Sequence, residues 1–143
     1  MTVEMTGGSP LWLSHHPPEE LDRCVVVGGR HVCRRCVLLW PLTFVAFALA
    51  LAGVRWPHSA DDLLLVVLPL PAVVEFVLEH AGRWPYRPGV QAVVTLPLAA
   101  ALGVGFDRYV HHPGDALFWS VTVVYSAVYA LAAVSANRRA RRV

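Results

Sequence analysis

The residues richest in chemistry lie in one run, Cys24-Val-Val-Val-Gly-Gly-Arg-His-Val-Cys33-Arg-Arg-Cys36, which holds all three cysteines. Thiols at such spacing serve two chemistries: thiolates bind soft divalent metals, and paired thiols exchange disulfides. A Gly-Gly pair between β-branched residues predicts a two-residue hairpin turn at Gly28-Gly29. Pairing outward from that turn sets Val27 against Arg30, Val26 against His31, Val25 against Val32 and Cys24 against Cys33. Cys36 follows Cys33 at the CxxC spacing of zinc knuckles and dithiol redox sites. Three thiols converge, and a tetrahedral metal takes one more ligand. His31 shares a strand face with Cys33 by alternation, whereas His15 and His16 belong to the approach Ser14-His-His-Pro-Pro-Glu-Glu-Leu-Asp-Arg23. Any of these three histidines is a candidate fourth ligand. Zinc is the expected metal, with iron or an iron–sulfur cluster also open.

A second candidate site is acidic. Glu75 and Glu79 stand one helical turn apart in an otherwise apolar stretch that also contains Pro69 and Pro71. A carboxylate in such a stretch faces a partner, a cavity or a pathway, and the prolines interrupt the helix and free backbone carbonyls. Glu75 is the deeper of the two; Glu79 is close enough to the end to reach an interface, near His80 and Arg83. A third grouping, His58, Asp61 and Asp62 with Asp107-Arg-Tyr-Val-His-His-Pro-Gly-Asp115, brings histidines and carboxylates into two loops. Histidines in such loops are ordinarily solvated, so this grouping is read as structural, with Asp61 or Asp62 capping the following helix.

The elements that must position these residues are dictated by hydropathy. Hydrophobic residues make up 56% of the 143 and charged residues 15%, with a mean hydropathy of +0.51, which is wrong for an ordinary soluble domain. The apolar residues fall in four blocks, 37–54, 63–79, 90–106 and 116–136, each close to the ~20 residues that carry a helix across a bilayer. They are apolar nearly all round, unlike the amphipathic helices of a soluble bundle. The expected fold is therefore an all-α membrane protein, a four-transmembrane-helix bundle with a short cysteine-rich hairpin or knuckle cap before helix one. Its parts are a tail over 1–14, a Cys/His-rich cap over 15–36, a transmembrane domain over 37–136 and a basic tail over 137–143.

All twelve basic residues are arginine, and their placement is informative. Arg23, Arg30, Arg34 and Arg35 precede the first block, Arg83 and Arg87 lie between the second and third, and Arg138, Arg139, Arg141 and Arg142 follow the fourth. Only Arg55 and Arg108 occupy the alternate loops. The positive-inside rule then predicts a multi-pass protein of the cytoplasmic membrane with both termini, the middle loop and the thiols on the cytoplasmic side. No cleavable signal peptide is expected. Trp40 and Trp56 at the ends of the first block, with Trp84 and Tyr86, fit interfacial belts. The six arginines from Arg83 onward on that side, Arg83, Arg87, Arg138, Arg139, Arg141 and Arg142, are candidates for contact with anionic lipid. No phosphate loop, nucleophile triad or nucleic-acid motif is present.

Cys24, the segment Val32-Cys33-Arg34-Arg35-Cys36 before a span, and Glu75 with Glu79 in the next span together resemble the bacterial and archaeal membrane family called domain of unknown function 2085. The resemblance covers roughly residues 14 to 110. It rests on Cys33, Arg35 and Cys36 opening the first helix, on the earlier Cys24, and on the acidic Glu75 followed by polar Glu79. Where that family often has histidine after the first cysteine, this chain has Val25. The resemblance implies a fold and no activity.

Function is accordingly expected to be that of a small, noncatalytic, polytopic membrane protein whose cytoplasmic thiols hold a structural zinc, acting as a homo-oligomer or through a membrane partner. Two other readings stay open: a transporter or channel component in which Glu75 handles a proton or cation, and a quinone-linked thiol-disulfide oxidoreductase using Cys24, Cys33 and Cys36.

Overall fold

The computed structural model describes residue 21 and residues 23–140, the last of these by its backbone alone. The predicted tail over 1–14, His15 and His16 of the predicted cap, and Arg141 and Arg142 lie outside the described residues. The chain divides into two units, one ending at Leu38 and one beginning at Leu39.

In the first unit, β1 (Cys24–Val27) and β2 (Arg30–Cys33) form an antiparallel hairpin in the predicted register, Val27 opposite Arg30 and Cys24 opposite Cys33. Gly28 and Gly29 adopt φ of 58° and 76°, both positive, as the type I′ turn that matches strand twist requires. Side chains bearing a Cβ are strained at those angles, so the glycine pair sets the register. Helix α1 (Arg34–Leu51) follows β2 without a linker. It starts earlier than the apolar block does, because Arg34 and Arg35 are accommodated in its first turn along with Cys36.

The second unit is helical. After the remainder of α1 come a 3₁₀ turn at His58–Ala60, α2 (Asp61–Val67), α3 (Leu70–His80), α4 (Pro88–His111) and α5 (Ala116–Ala140). Four helical stretches, Arg34–Leu51, His58–His80, Pro88–His111 and Ala116–Arg139, are long and apolar enough to cross a membrane. The second of these is not one helix. Leu68 and Pro69 keep helical backbone angles, but Pro69 and Pro71 have no amide hydrogen to donate, so the hydrogen-bond ladder lapses and the stretch predicted over 63–79 becomes α2 and α3, with Pro69 as the residue preceding α3 and Pro71 in its first turn. At the break the Tyr125 hydroxyl of α5 donates to the Val66 carbonyl at 2.5 Å.

Helix α4 is the centre of this unit, packing against α2, α3 and α5. Its buried positions include Thr95, Ala99, Ala101, Gly103 and Gly105, small residues that let backbones approach. Gly103 is the tightest point: a Cβ there would lie 2.5 Å from Ala46 Cβ and 2.7 Å from the Phe47 nitrogen of α1. Beside it the rings of Phe47 and Phe106 meet edge to face. By contrast, none of the apolar window of α5 is buried and only 11% of that of α1. Leu131, at 67% exposed, and Phe44, at 58%, exemplify the outward apolar faces.

Candidate functional site

The thiol site is built by the hairpin register. Cys24 and Cys33 are directly opposite, and counting outward from the two-residue turn makes theirs a non-hydrogen-bonded pair, the closer kind, with Cα atoms about 4.5 Å apart in typical sheets. Both are buried and Cys36 is half-buried. Cys33 and Cys36 are joined by a side-chain hydrogen bond, and Cys24 lies within electrostatic range of Cys36. His31, opposite Val26, is half-buried on the strand face that Cys33 shares. Among the described residues no group of three or more His, Cys, Asp and Glu side chains is arranged to hold a metal ion. The arrangement of the thiols is thus a cross-strand pair with the third thiol bonded to one member.

Glu75 and Glu79 lie on α3, and both are buried. Glu79 is almost as enclosed as Glu75, because α3 packs on both α4 and α5. His80 closes that helix, with its Nδ1 2.9 Å from the Phe76 carbonyl and its ring stacked on Phe76 at 3.8 Å. Arg83 and Arg87 are exposed and, among the described residues, form no salt bridge. On α4 the buried Gln91 accepts a bond from Tyr86 at 3.4 Å, and its carbonyl accepts one from Thr95 at 2.6 Å.

Around the α1–α2 and α4–α5 connections lies a charge network whose pairings the sequence did not disclose, with Arg55 and Asp115 in the connections and Asp61, Asp62, Asp107 and Arg108 on the adjoining ends of α2 and α4. Arg55 donates to both Asp61 and Asp107, the second at 2.5 Å. The Arg55 side chain is 11% exposed and the two carboxylates less. Trp56 Nε1 also donates to Asp61 at 2.5 Å. Arg108 pairs with Asp62 at 2.6 Å and with Asp115 at 2.7 Å. Each connection with its adjoining helix end therefore contributes one arginine and two aspartates, and each arginine bonds one aspartate of its own side and one of the other. Two exposed histidines flank the buried pair, His58 at 3.5 Å from Asp61 and His111 at 3.4 Å from Asp107.

Asp61 does not cap α2, since Ala60 occupies that position and the Asp61 carboxylate is taken by Arg55 and Trp56. Asp115 is the residue that caps a helix: its Oδ1 accepts the Phe118 amide in the first turn of α5 at 2.7 Å. The Arg108 guanidinium, and after it that Phe118 amide, hold the Asp115 carboxyl below the usual carboxylate range. The available signal for this network was composition: Arg55 and Arg108 are the sole cationic residues in stretches otherwise carrying four aspartates. Spacing alone did not say which aspartate each would meet.

Comparison with protein-family models, with curated proteins and with solved structures finds no match to this chain.

Proposed function

We propose that this chain is a multi-pass protein of the cytoplasmic membrane whose cysteine hairpin forms a metal-stabilised cap at the head of the first membrane helix. The observation that carries the thiol reading is the register: Cys24 stands opposite Cys33, and Cys36 follows three residues later in the first turn of α1. Membrane residence is supported by the outward apolar faces of α1 and α5, which water would not tolerate over such areas. The arginine distribution supports cytoplasmic termini and a cytoplasmic thiol site.

In this reading Cys24, Cys33 and Cys36 bind zinc as thiolates and one of His15, His16 and His31 completes the tetrahedron. Metal bound so gives a two-stranded hairpin the stability that such a hairpin lacks alone. Function then runs through a membrane partner or a second copy. The family resemblance noted from the cysteine and glutamate positions is part of this proposal. The test is elemental analysis of protein purified without chelator, beside Cys24→Ala and Cys36→Ala. One zinc per chain in the parent and much less in both variants is expected; no zinc or iron in the parent sinks the reading.

A second reading, thiol-disulfide exchange, is favoured by the direct Cys24–Cys33 opposition. There two thiols lose two electrons and two protons, a disulfide forms between their sulfurs, and a quinone becomes a quinol. Mass mapping after quinone treatment would find a Cys24–Cys33 or Cys33–Cys36 bridge. The burial of Glu75 and Glu79 favours a third, ion translocation, for which Glu75→Gln should abolish a flux in proteoliposomes.

A further inference from the structure

A groove between α3 and α5 combines an apolar lining with a cation at one end. Its walls are Val77 and Ala81 of α3 and Val128, Leu131, Ala132 and Ser135 of α5, enclosing about 290 Å³, and Arg139 closes one end. From Val128 to Arg139 the helix rises about 16 Å, close to half of a ~30 Å hydrocarbon core. On the α3 side Val77 and Ala81 line about one turn of that length. Its walls are apolar apart from Ser135, and the cation sits at the end where the charged tail of α5 begins.

Arg139 is held in place by α3. Its Nη2 donates to the His80 carbonyl at 2.9 Å and its Nη1 to the Ala81 carbonyl at 3.3 Å, while Nε reaches its own helix at Ser135. The C-terminus of α3 carries partial negative charge, so the guanidinium bridges the two helices there. A guanidinium has five N–H groups. Three are used, leaving one on each Nη to meet an anion. Arg138 adjoins it on α5, and Arg83 follows two residues after Ala81; both are exposed.

We infer that this groove is a specific seat for an anionic phospholipid, with one acyl chain against Val77, Val128 and Ala132 and the headgroup phosphate on Arg139, assisted by Arg138 and Arg83. The inference rests on the membrane reading and names one lipid site within it. A phosphate presented at an arginine fork takes charge-assisted bonds that a neutral chain end cannot supply.

The test uses the full chain in neutral detergent with equal amounts of phosphatidylglycerol and phosphatidylcholine of the same chain length, followed by native mass spectrometry. Retention of one phosphatidylglycerol, at least 10-fold above phosphatidylcholine, is expected. Ala132→Trp, which fills the groove, and Arg139→Gln should each reduce that retention at least 10-fold, whereas Ala133→Trp on the adjoining exposed face should not. Ser135→Phe is a second plug and decides the matter if Ala132→Trp lowers helix content. Equal retention of the two lipids, retention unchanged by both plugs, or a dimer that the plugs abolish would each overturn the seat. Failure of the membrane reading is seen separately, as extraction of the chain from membranes by alkaline carbonate without detergent.

Discussion

Arg55 ties two buried carboxylates of the helical unit together. Enclosed between Asp61 and Asp107, it neutralises two carboxylates that are themselves buried. Removing one member of such a set strands the charge of the others, typically costing about 3–5 kcal/mol. Arg55→Ala should therefore lower thermal stability in detergent far more than Asp62→Ala, whose 75% exposed carboxylate gives a pair worth about 1 kcal/mol or less. Equal losses for the two variants would remove the distinction. Asp115 contributes at the same scale through pH. Its carboxyl is held below the usual range by Arg108 first and the Phe118 amide second. The stabilisation is thus complete above the ordinary carboxylate pKa of about 3.9 and is lost as pH falls through the lower folded value. Asp115→Asn should flatten the acid limb of a melting-temperature profile, and an unchanged limb would contradict that. None of these pairings was legible from spacing, because Arg55 and Asp107 are 52 residues apart and only folding selects among four aspartates. The cysteine register was legible, because Gly28-Gly29 specifies the turn and the turn specifies every pair behind it.

Between elements, the contact of α1 with α4 turns on Gly103. With Ala46 Cβ 2.5 Å from where its own Cβ would stand, Gly103→Ala must push the two helices apart, and overpacking of this kind costs about 1–3 kcal/mol. Gly105→Ala is the comparison, because its Cβ would meet the Phe118 ring at an ordinary 3.5 Å. A melting series in which Gly103→Ala is no worse than Gly105→Ala would show that the helices have room. The α2–α3 break was legible as an interruption, since Pro69 and Pro71 announce it. Its hydrogen bond was not: Tyr125 is 59 residues from Val66. Tyr125→Phe should cost about 1 kcal/mol and raise amide exchange near Leu68, and unchanged exchange there would show that the hydroxyl does not hold the break. Helix extents shifted where charges are satisfied in place. Helix α4 runs on to His111, past the apolar block, because Asp107 and Arg108 are paired within it and across to other elements rather than solvated.

For the whole molecule, hydropathy disclosed the four long apolar stretches and arginine placement supplied an orientation to test. On the proposed topology, Cys36 should react with a membrane-impermeant maleimide only when the cytoplasmic face is opened, and labelling of intact cells would reverse the orientation. The two charged connections carry a further consequence, for the making of the protein. On the proposed membrane topology, Arg55 already has Asp61 and Arg108 already has Asp115 beside it in sequence, so each helical pair would enter a bilayer with its arginine matched locally. The remaining bonds, Arg55 to Asp107 and Arg108 to Asp62, exist only once both pairs have arrived. A chain stopped after α3 leaves that exchange unmade: Arg55 keeps Asp61 but lacks Asp107, and Asp62 lacks Arg108.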